Sequence, residues 1–118
     1  MDRHLTGRWG EEKAAAFLRR KGYKIIGMNY ACRMGEIDII ARRRGLTAFI
    51  EVKRRRDTRY GRPAEAVNLE KQRRIAQAAA LYMQENALED ARVRFDVIEI
   101  LPDGLRHIED AFDATGLF

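Results

Sequence analysis

Asp38, Glu51 and Lys53 are residue types that can hold a divalent cation and contact a phosphate, and they occur in two neighbouring apolar segments, EIDIIAR and IEVKR. If these segments form a hairpin with Arg43 opposite Leu46, Asp38 falls directly opposite Glu51 on one face of the sheet. Two opposed carboxylates repel each other unless a shared proton or a cation neutralises them. Mg²⁺ accepts a few carboxylates, several waters and a substrate phosphate, so the pair predicts an Mg²⁺ or Mn²⁺ site.

Three further groups could complete this site. Lys53 lies two residues beyond Glu51 and shares its face, where an ammonium can bind a phosphate oxygen, orient a water or stabilise developing charge. Glu36 lies two residues before Asp38 and is expected to pair with Lys53 or to serve the metal through water. The carbonyl of Val52 could supply another oxygen ligand.

The alternative interpretation is that these polar residues form the solvated face of a two-layer sheet. Two features favour a functional site instead. Apolar residues flank both acids, as in a sheet that is mostly buried. In addition, Glu11 lies in the apolar stripe of the first predicted helix, where an acid needs a partner. We therefore expect Glu11 to meet another polar group in the fold.

Charge is distributed unevenly along the chain of 118 residues, which has a net charge of +5. Residues 42–74 hold twelve Lys or Arg against four acids, whereas residues 75–118 hold three against nine. A basic block beside an acidic pair favours an anionic partner such as nucleic acid. The candidate phosphate contacts are Arg54, Arg55, Arg56, Arg59, Arg62 and Lys71, and Gln72 is a further candidate for contact with a phosphate or a metal-bound water.

Composition argues against several other classes. The single cysteine, Cys32, permits no internal disulfide and fits a reducing cytoplasm. Charged residues interrupt the start of the chain, so we expect no leader peptide, and no stretch is long enough to span a membrane. Two distant histidines argue against a zinc site of the usual nitrogen and sulfur type. We expect a cytoplasmic protein that does not bind a membrane.

The elements that must position these residues follow from periodicity and turn signals. Helical spacing predicts helices over residues 8–21 and 68–86, with Gly22 ending the first and Asn68 capping the second. The predicted strands are residues 23–29, 36–42, 46–54 and 92–101, and a short fifth strand can follow the turn after Pro102.

This order predicts an α/β fold in one domain, with a mixed sheet flanked by helices. The second and third strands form an antiparallel hairpin, and the third reaches the fourth through a helix, so those two are expected to be parallel. In the fourth strand, Asp96 is expected to have a structural role, with a hydrogen bond to backbone or to Arg94.

The segments GEIDII and AFIEVKRR resemble the PD-(D/E)xK nuclease motif, with Asp38, Glu51 and Lys53 at its core positions. The chain as a whole resembles uncharacterised protein family UPF0102, the YraN-like proteins. The other matching features, spread over nearly all of the chain, are Gly7, Gly10 and Glu11, then Ala14, Leu18, Gly22, Asn29, Gly61, Lys71, Gln72 and RFDV at residues 94–97. The resemblance implies a restriction-endonuclease-like αβββαβ core, kinship to archaeal Holliday-junction resolvases, and a place for Glu11 in the metal site.

Two functions remain open at this point. One is a Mg²⁺- or Mn²⁺-dependent nuclease that acts on DNA, with DNA favoured over RNA; the other is a nucleic-acid-binding module that lacks the chemistry and serves DNA repair or RNA processing. The complete set of Asp38, Glu51 and Lys53 favours the enzyme, because a pure binder has no use for an acidic pair beneath an anion. A homodimer is expected if the substrate is a two-fold junction.

Overall fold

The structure is a computed structural model that describes residues 3–55, 67–88 and 91–114. Two helices and five strands are bounded as follows: α1 Arg3–Arg20, β1 Lys24–Cys32, β2 Gly35–Arg43, β3 Leu46–Arg54, α2 Leu69–Glu85, β4 Arg92–Leu101 and β5 Gly104–Ile108. The predicted order and the α/β class are confirmed, and the fifth strand is present. β3 and β4 have the bounds that the sequence predicts.

The main differences from the predicted bounds lie in the first two elements. α1 begins at Arg3 rather than at residue 8, and β1 continues to Cys32 rather than ending at residue 29. The extension of β1 has a tertiary cause, because Tyr30 and Cys32 pair with the beginning of β2. A single-sequence pattern does not contain that pairing.

The five strands form one mixed sheet in the order β1-β2-β3-β4-β5. β3 and β4 are parallel and β2 and β3 are antiparallel, as predicted, and the pairs β1–β2 and β4–β5 are also antiparallel. Parallel neighbours require a long crossover, and α2 lies in the connection between β3 and β4.

Two hydrophobic cores cover the two faces of the sheet. Residues that alternate along β2, β3 and β4 enter one core or the other, as expected when both faces are packed. The core beneath α1 includes Ala14, Ala15, Leu18, Ile39, Ile50 and Ile98. The core beneath α2 includes Ile75, Ala76, Ala79, Ile40, Phe49 and Phe95. The central strands are thus held between two helices.

Both predicted helix ends are confirmed. α1 ends in a Schellman motif: the N–H of Tyr23 donates to the carbonyl of Leu18, the N–H of Gly22 donates to that of Arg19, and Gly22 has a φ of +92°. α2 is capped by Asn68, whose side chain accepts the backbone N–H of Lys71 at 2.8 Å. Within the described residues, neither helix is both long enough and apolar enough to cross a membrane.

Candidate active site

The β2–β3 hairpin opens at the acidic residues. Its paired residues follow the predicted register from the turn as far as Ile39 opposite Ile50. Beyond that pair, the backbone N–H of Val52 donates to Oδ2 of Asp38 at 2.8 Å. A side-chain oxygen of β2 therefore satisfies a strand N–H of β3 at this point. Asp38 and Glu51 lie beside each other just past the last backbone pair.

A cleft of about 370 Å³ opens at this point, between the beginning of β2, the end of β3 and the first turns of α2. Its lining is formed by Gly35, Glu36, Asp38, Glu51, Asn68, Glu70, Lys71, Arg74 and Ile75. The structure thus brings together Glu36, Asp38, Glu51 and Lys71 from the predicted set. No feature of the sequence indicated that Arg74 and Glu70 would also line the cleft, because they are exposed helix residues that form an i, i+4 ion pair.

The carboxyl of Asp38 is largely buried and lies near two other acids, Glu51 and Glu11. Burial, repulsion from Glu51 and weaker repulsion from Glu11 raise the pKa of Asp38 to about 7, although the N–H of Val52 opposes the shift. A carboxyl in this state accepts a proton or a cation near neutral pH. Among the described residues, the two lysines form their ion pairs with Glu51 and not with Asp38.

Glu51 is compensated by two lysines. Its side chain is almost fully buried, and Oε1 lies 2.5 Å from Nζ of Lys71 and 3.8 Å from Nζ of Lys53. The sequence predicted Lys71 as a phosphate contact, whereas in the structure its ammonium binds a carboxylate of the site. Lys53 shares the face of Glu51, as predicted.

The pKa values of the two lysines shift in opposite directions. Burial, and then the proximity of Lys71, lower the pKa of Lys53. Burial alone would also lower the pKa of Lys71, but its hydrogen bond and charge attraction to Glu51, with smaller contributions from Lys53 and Asp38, together outweigh burial, so the pKa of Lys71 is raised. Lys71 is therefore the close partner of Glu51 in the cleft, and Lys53 is the cation held less closely beside it.

α1 brings Glu11 toward the site through a close helix–sheet contact. Gly10 is buried, and a Cβ at its position would lie 3.9 Å from Cγ1 of Val52 and 3.8 Å from Cγ1 of Ile100. This contact places the next residue, Glu11, near enough to Asp38 to repel its charge. Glu11, the acid in the apolar stripe of α1, thus has Asp38 as its neighbour in the candidate site.

The donor set suits Mg²⁺ or Mn²⁺ as a site with two carboxylates. Asp38 and Glu51 are hard oxygen donors beside one cleft, and the raised pKa of Asp38 reports negative charge that a cation would relieve. Within the described ranges, however, no three His, Cys, Asp or Glu side chains are grouped closely enough to hold a metal ion together. The site therefore fits an ion for which water supplies most of the ligands. Glu11 lies farther from the ion position than Asp38 and Glu51.

The comparisons with known sequences agree on one family. The family model described as "Uncharacterised protein family UPF0102" matches residues 10–100. A UPF0102 protein of Lachnoclostridium phytofermentans is 44% identical over 117 residues, which cover 98% of this chain and 99% of that one. This chain belongs to family UPF0102.

Other relatives are similar over most of their length. A UPF0102 protein of Symbiobacterium thermophilum is 49% identical over 114 residues, covering 92% of this chain and 97% of its own. A UPF0102 protein of Syntrophus aciditrophicus is 46% identical over 112 residues, which cover 92% of this chain and 88% of that one. This UPF0102 protein is thus matched along nearly its full length.

Three of the predicted site residues have other surroundings in this UPF0102 protein. Glu36 is exposed and lies beyond the last β2–β3 pair, at the rim of the cleft. The amide of Gln72 donates to the carbonyl of Val67 at 2.8 Å, which supports the start of α2, and Gln72 does not line the cleft. Val52 contributes its N–H to Asp38, while a ligand role of its carbonyl stays a prediction.

The predicted arginine contacts separate into three groups. Arg54 is exposed, and its guanidinium carbon lies 5.2 Å from the centre of the Trp9 ring. Nε of Arg55 lies 2.9 Å from Oε2 of the buried Glu99, so its charge is already paired. Arg56, Arg59 and Arg62 lie outside the described residues.

Away from the cleft, the UPF0102 chain contains a buried polar network around Asp96. Oδ1 and Oδ2 of Asp96 accept from Nε and a terminal nitrogen of Arg94, both at 2.8 Å, and Nε2 of His107 lies 2.8 Å from Oδ2. Because the ammonium of Lys21 can only donate to Nδ1 of His107, at 2.9 Å, Nε2 carries the proton that Asp96 accepts. The predicted contact between Asp96 and Arg94 is present, and the roles of His107 and Lys21 were missed because they depend on tertiary contacts.

Proposed function

We propose that this UPF0102 protein is a Mg²⁺- or Mn²⁺-dependent nuclease that hydrolyses phosphodiester bonds of DNA, in particular those of branched or repair intermediates. The observation that carries the proposal is the convergence of Asp38 and Glu51 where the β2–β3 hairpin opens into a cleft, with the ammonium of Lys53 3.8 Å from Glu51. The resemblance of the same three residues to the PD-(D/E)xK motif supports this assignment. The reaction adds water across one P–O bond and yields a phosphomonoester and a hydroxyl end.

Asp38 and Glu51 are the residues that would hold the ion, with Glu11 adding negative charge nearby. When bound, a divalent ion supplies Lewis-acid stabilisation of the phosphate charge and lowers the pKa of water. Because the pKa of Asp38 is about 7, a bound ion would replace its proton near neutral pH, and the proton would leave to solvent. Glu51 shares its charge with Lys71, which keeps the carboxylate fixed in the cleft.

Lys53 supplies the free cation of the site. Its ammonium shares the face of Glu51, is partly buried, and is not held at hydrogen-bond distance by that carboxylate. It can therefore move onto a phosphate oxygen and stabilise the additional negative charge of the transition state. A preorganised cationic contact of this kind changes rates by roughly a hundredfold to a thousandfold.

Nucleic acid is the proposed partner because the basic block surrounds the site. Arg54 is exposed, and Arg56, Arg59 and Arg62 belong to the same basic stretch of sequence. Contacts of this type bind the phosphate backbone without reading the base sequence. We also propose a cytoplasmic protein, from its single cysteine, and a homodimer if the substrate is a two-fold junction.

A second candidate function is a nucleic-acid-binding module without catalysis. The observation that favours it is the ion pair between Lys71 and Glu51, which neutralises one carboxylate of the site without a metal. Such a protein would bind nucleic acid with the same affinity whether or not a divalent ion is present. The nuclease proposal has the advantage that it assigns Asp38 a role, as a ligand of the metal ion.

The proposed activity is tested by single-turnover cleavage with Mg²⁺ or Mn²⁺ at saturating protein. The substrates are single-stranded, linear duplex, flapped and four-way-junction DNA, together with RNA versions. We expect the wild type to cleave at least one branched DNA and to lose activity with a chelator. Lys53→Ala should cleave roughly 10²–10³ times more slowly while it binds the same substrate almost equally well.

Lys24→Ala is the matched control, because Lys24 is an exposed lysine of β1 that does not line the cleft. Equal cleavage by Lys53→Ala and Lys24→Ala would show that the assigned role of Lys53 is wrong. If the wild type binds these substrates but cleaves none of them, the binding module is the better description.

A further inference from the structure

Trp9, the only tryptophan in the chain, is 48% exposed on α1. Large aromatic rings are usually buried to a greater degree, so this exposure requires a reason. Two cations lie against the ring: Nζ of Lys13 is 5.1 Å from its centre, and the guanidinium carbon of Arg54 is 5.2 Å from it. Lys13 and Arg54 are both exposed, and neither forms an ion pair among the residues that the structure describes.

These three side chains border a depression of about 450 Å³. Its floor and far side are formed by Arg55, Ile100, Leu101 and Pro102. Arg55 is paired with the buried Glu99. The surface therefore combines a half-exposed aromatic ring with two positive charges that form no ion pair within residues 3–55, 67–88 and 91–114.

The depression lies at the same end of the sheet as the candidate active site. Arg54 follows Lys53 in β3, so the two side chains point to opposite faces at the last two positions of one strand. On α1, Trp9 is two residues from Glu11, and the contact of Gly10 with Val52 fixes both beside β3. A nucleic-acid strand that crosses the end of β3 can reach both the depression and the candidate active site.

We infer that Trp9, Lys13 and Arg54 form a second subsite, which stacks one unpaired base of a nucleic-acid strand whose phosphates reach the candidate active site. Bases stack on indole rings and on guanidinium planes regardless of sequence, and the adjacent cations bind the neighbouring phosphates. The inference rests on the proposed function for the identity of the neighbouring site. It narrows the substrate to strands with unstacked nucleotides, such as single strands, flaps and junctions.

A base inside a duplex cannot occupy this subsite, because both of its faces are already stacked. A plain duplex should therefore bind through its phosphates alone, and more weakly at moderate salt. Strands with free bases should add the stacking contribution of Trp9 to the same electrostatic attraction.

The test uses Trp9 as its own probe, in a chelator so that no strand is cut. Wild-type protein is titrated with a single-stranded thymidine oligonucleotide and with an abasic strand of equal length and charge. We expect the thymidine strand to quench the fluorescence of Trp9 and the abasic strand to leave it nearly unchanged. Binding of fluorescently labelled strands is then measured by anisotropy for Trp9→Leu and Trp9→Phe.

Trp9→Leu should bind the thymidine strand roughly 5–150 times more weakly, with an unchanged affinity for the abasic strand, and Trp9→Phe should recover part of the loss. Leu69→Ala is the control, because Leu69 is an exposed apolar side chain at the start of α2, and it should bind like the wild type. Equal affinity of wild type for the two strands, or full binding by Trp9→Leu, would overturn the inference. It would also be overturned by Trp9 emission that changes with protein concentration alone, since a second copy would then cover the ring.

This titration and the cleavage assay together separate this inference from the nuclease proposal. Base-dependent quenching without cleavage on any substrate would keep the subsite and reject the nuclease. Cleavage without base-dependent binding would keep the nuclease and reject the subsite.

Discussion

Asp38 and Glu51 are neighbouring carboxylates whose charges are compensated in different ways. Glu51 has the ammonium groups of Lys71 and Lys53 on one of its oxygens. Asp38 has a backbone N–H from Val52 and is repelled by two other acids. Asp38 is therefore the residue through which pH and divalent ions should act on this protein.

Asp38→Asn should remove a pH dependence from the stability of the metal-free protein. The pKa of Asp38 is raised from 3.8 to about 7, so its folded state prefers the protonated form. Its contribution to the free energy of unfolding is present below the ordinary pKa and is lost as the pH rises through about 7. In a chelator, Asp38→Asn should melt at a higher temperature than the wild type at about pH 8, and at a similar temperature near pH 4.

The control for this experiment is Asp103→Asn, an exposed acid of the turn between β4 and β5. Its melting temperature should follow that of the wild type at each pH. Adding Mg²⁺ or Mn²⁺ should raise the melting temperature of the wild type and of Asp103→Asn more than that of Asp38→Asn. An unchanged pH profile in Asp38→Asn would contradict the assigned role of Asp38.

At the scale of elements, the cleft depends on how closely the beginning of β2 approaches α2. Gly35 lies directly beneath the helix: a Cβ at this position would be 3.1 Å from Cβ of Arg74 and 3.2 Å from its carbonyl oxygen. Both are closer than ordinary van der Waals contacts, and one of them is backbone. α2 can lie at this distance because residue 35 has no side chain.

Gly35→Ala should therefore displace α2 and destabilise the fold by about 1–3 kcal/mol, as overpacking does elsewhere. The displacement should also separate Lys71 from Glu51, so any cleavage activity should fall in the protein that remains folded. Urea denaturation followed by circular dichroism measures the first effect. Gly104→Ala is the matched control, because nothing lies within 4 Å of a Cβ there, and it should leave the urea midpoint almost unchanged.

At the scale of the whole molecule, the polar network around Asp96 connects parts of the chain that are distant in sequence. Arg94 belongs to the same strand, His107 to β5, and Lys21 to the end of α1. Asp110, in the turn after β5, donates its backbone N–H to Asp96. Burial raises the pKa of Asp96, but these hydrogen bonds from His107, Arg94 and Asp110 outweigh it, and the pKa is lowered.

Asp96→Asn should destabilise the protein by on the order of 3–5 kcal/mol at neutral pH, because it leaves the charge of Arg94 without its buried partner. A carboxyl whose pKa is lowered by folding stabilises above its ordinary pKa and loses that contribution as the pH falls through the folded value. The difference between wild type and variant should therefore be constant above about pH 5 and shrink below about pH 4. Urea midpoints over this range measure it. Asp103→Asn, at an exposed turn acid, is the control, and an Asp96→Asn midpoint equal to it would refute the prediction.

The sequence by itself determined the elements and the register of the hairpin. The turn at Arg44-Gly45 sets the register, because opposed residues are counted outward from it, and the pairs from Arg43 opposite Leu46 to Ile39 opposite Ile50 follow the prediction. The same register brings Asp38 beside Glu51 and directs Lys53 to their face. The C-terminal end of α1 at Gly22 and the N-cap of α2 at Asn68 were predicted because capping chemistry is local, whereas the start of α1 was not.

Only the tertiary structure decided which charges meet. Lys71 belongs to a helix and Glu51 to a strand, and their ion pair depends on how α2 crosses the sheet, which no periodicity encodes. The opening of the hairpin at Asp38 and the cations around Trp9 have the same origin, because each joins side chains from different elements. Local pattern fixes the face on which a side chain lies, whereas the packing of helices on the sheet fixes its partner there.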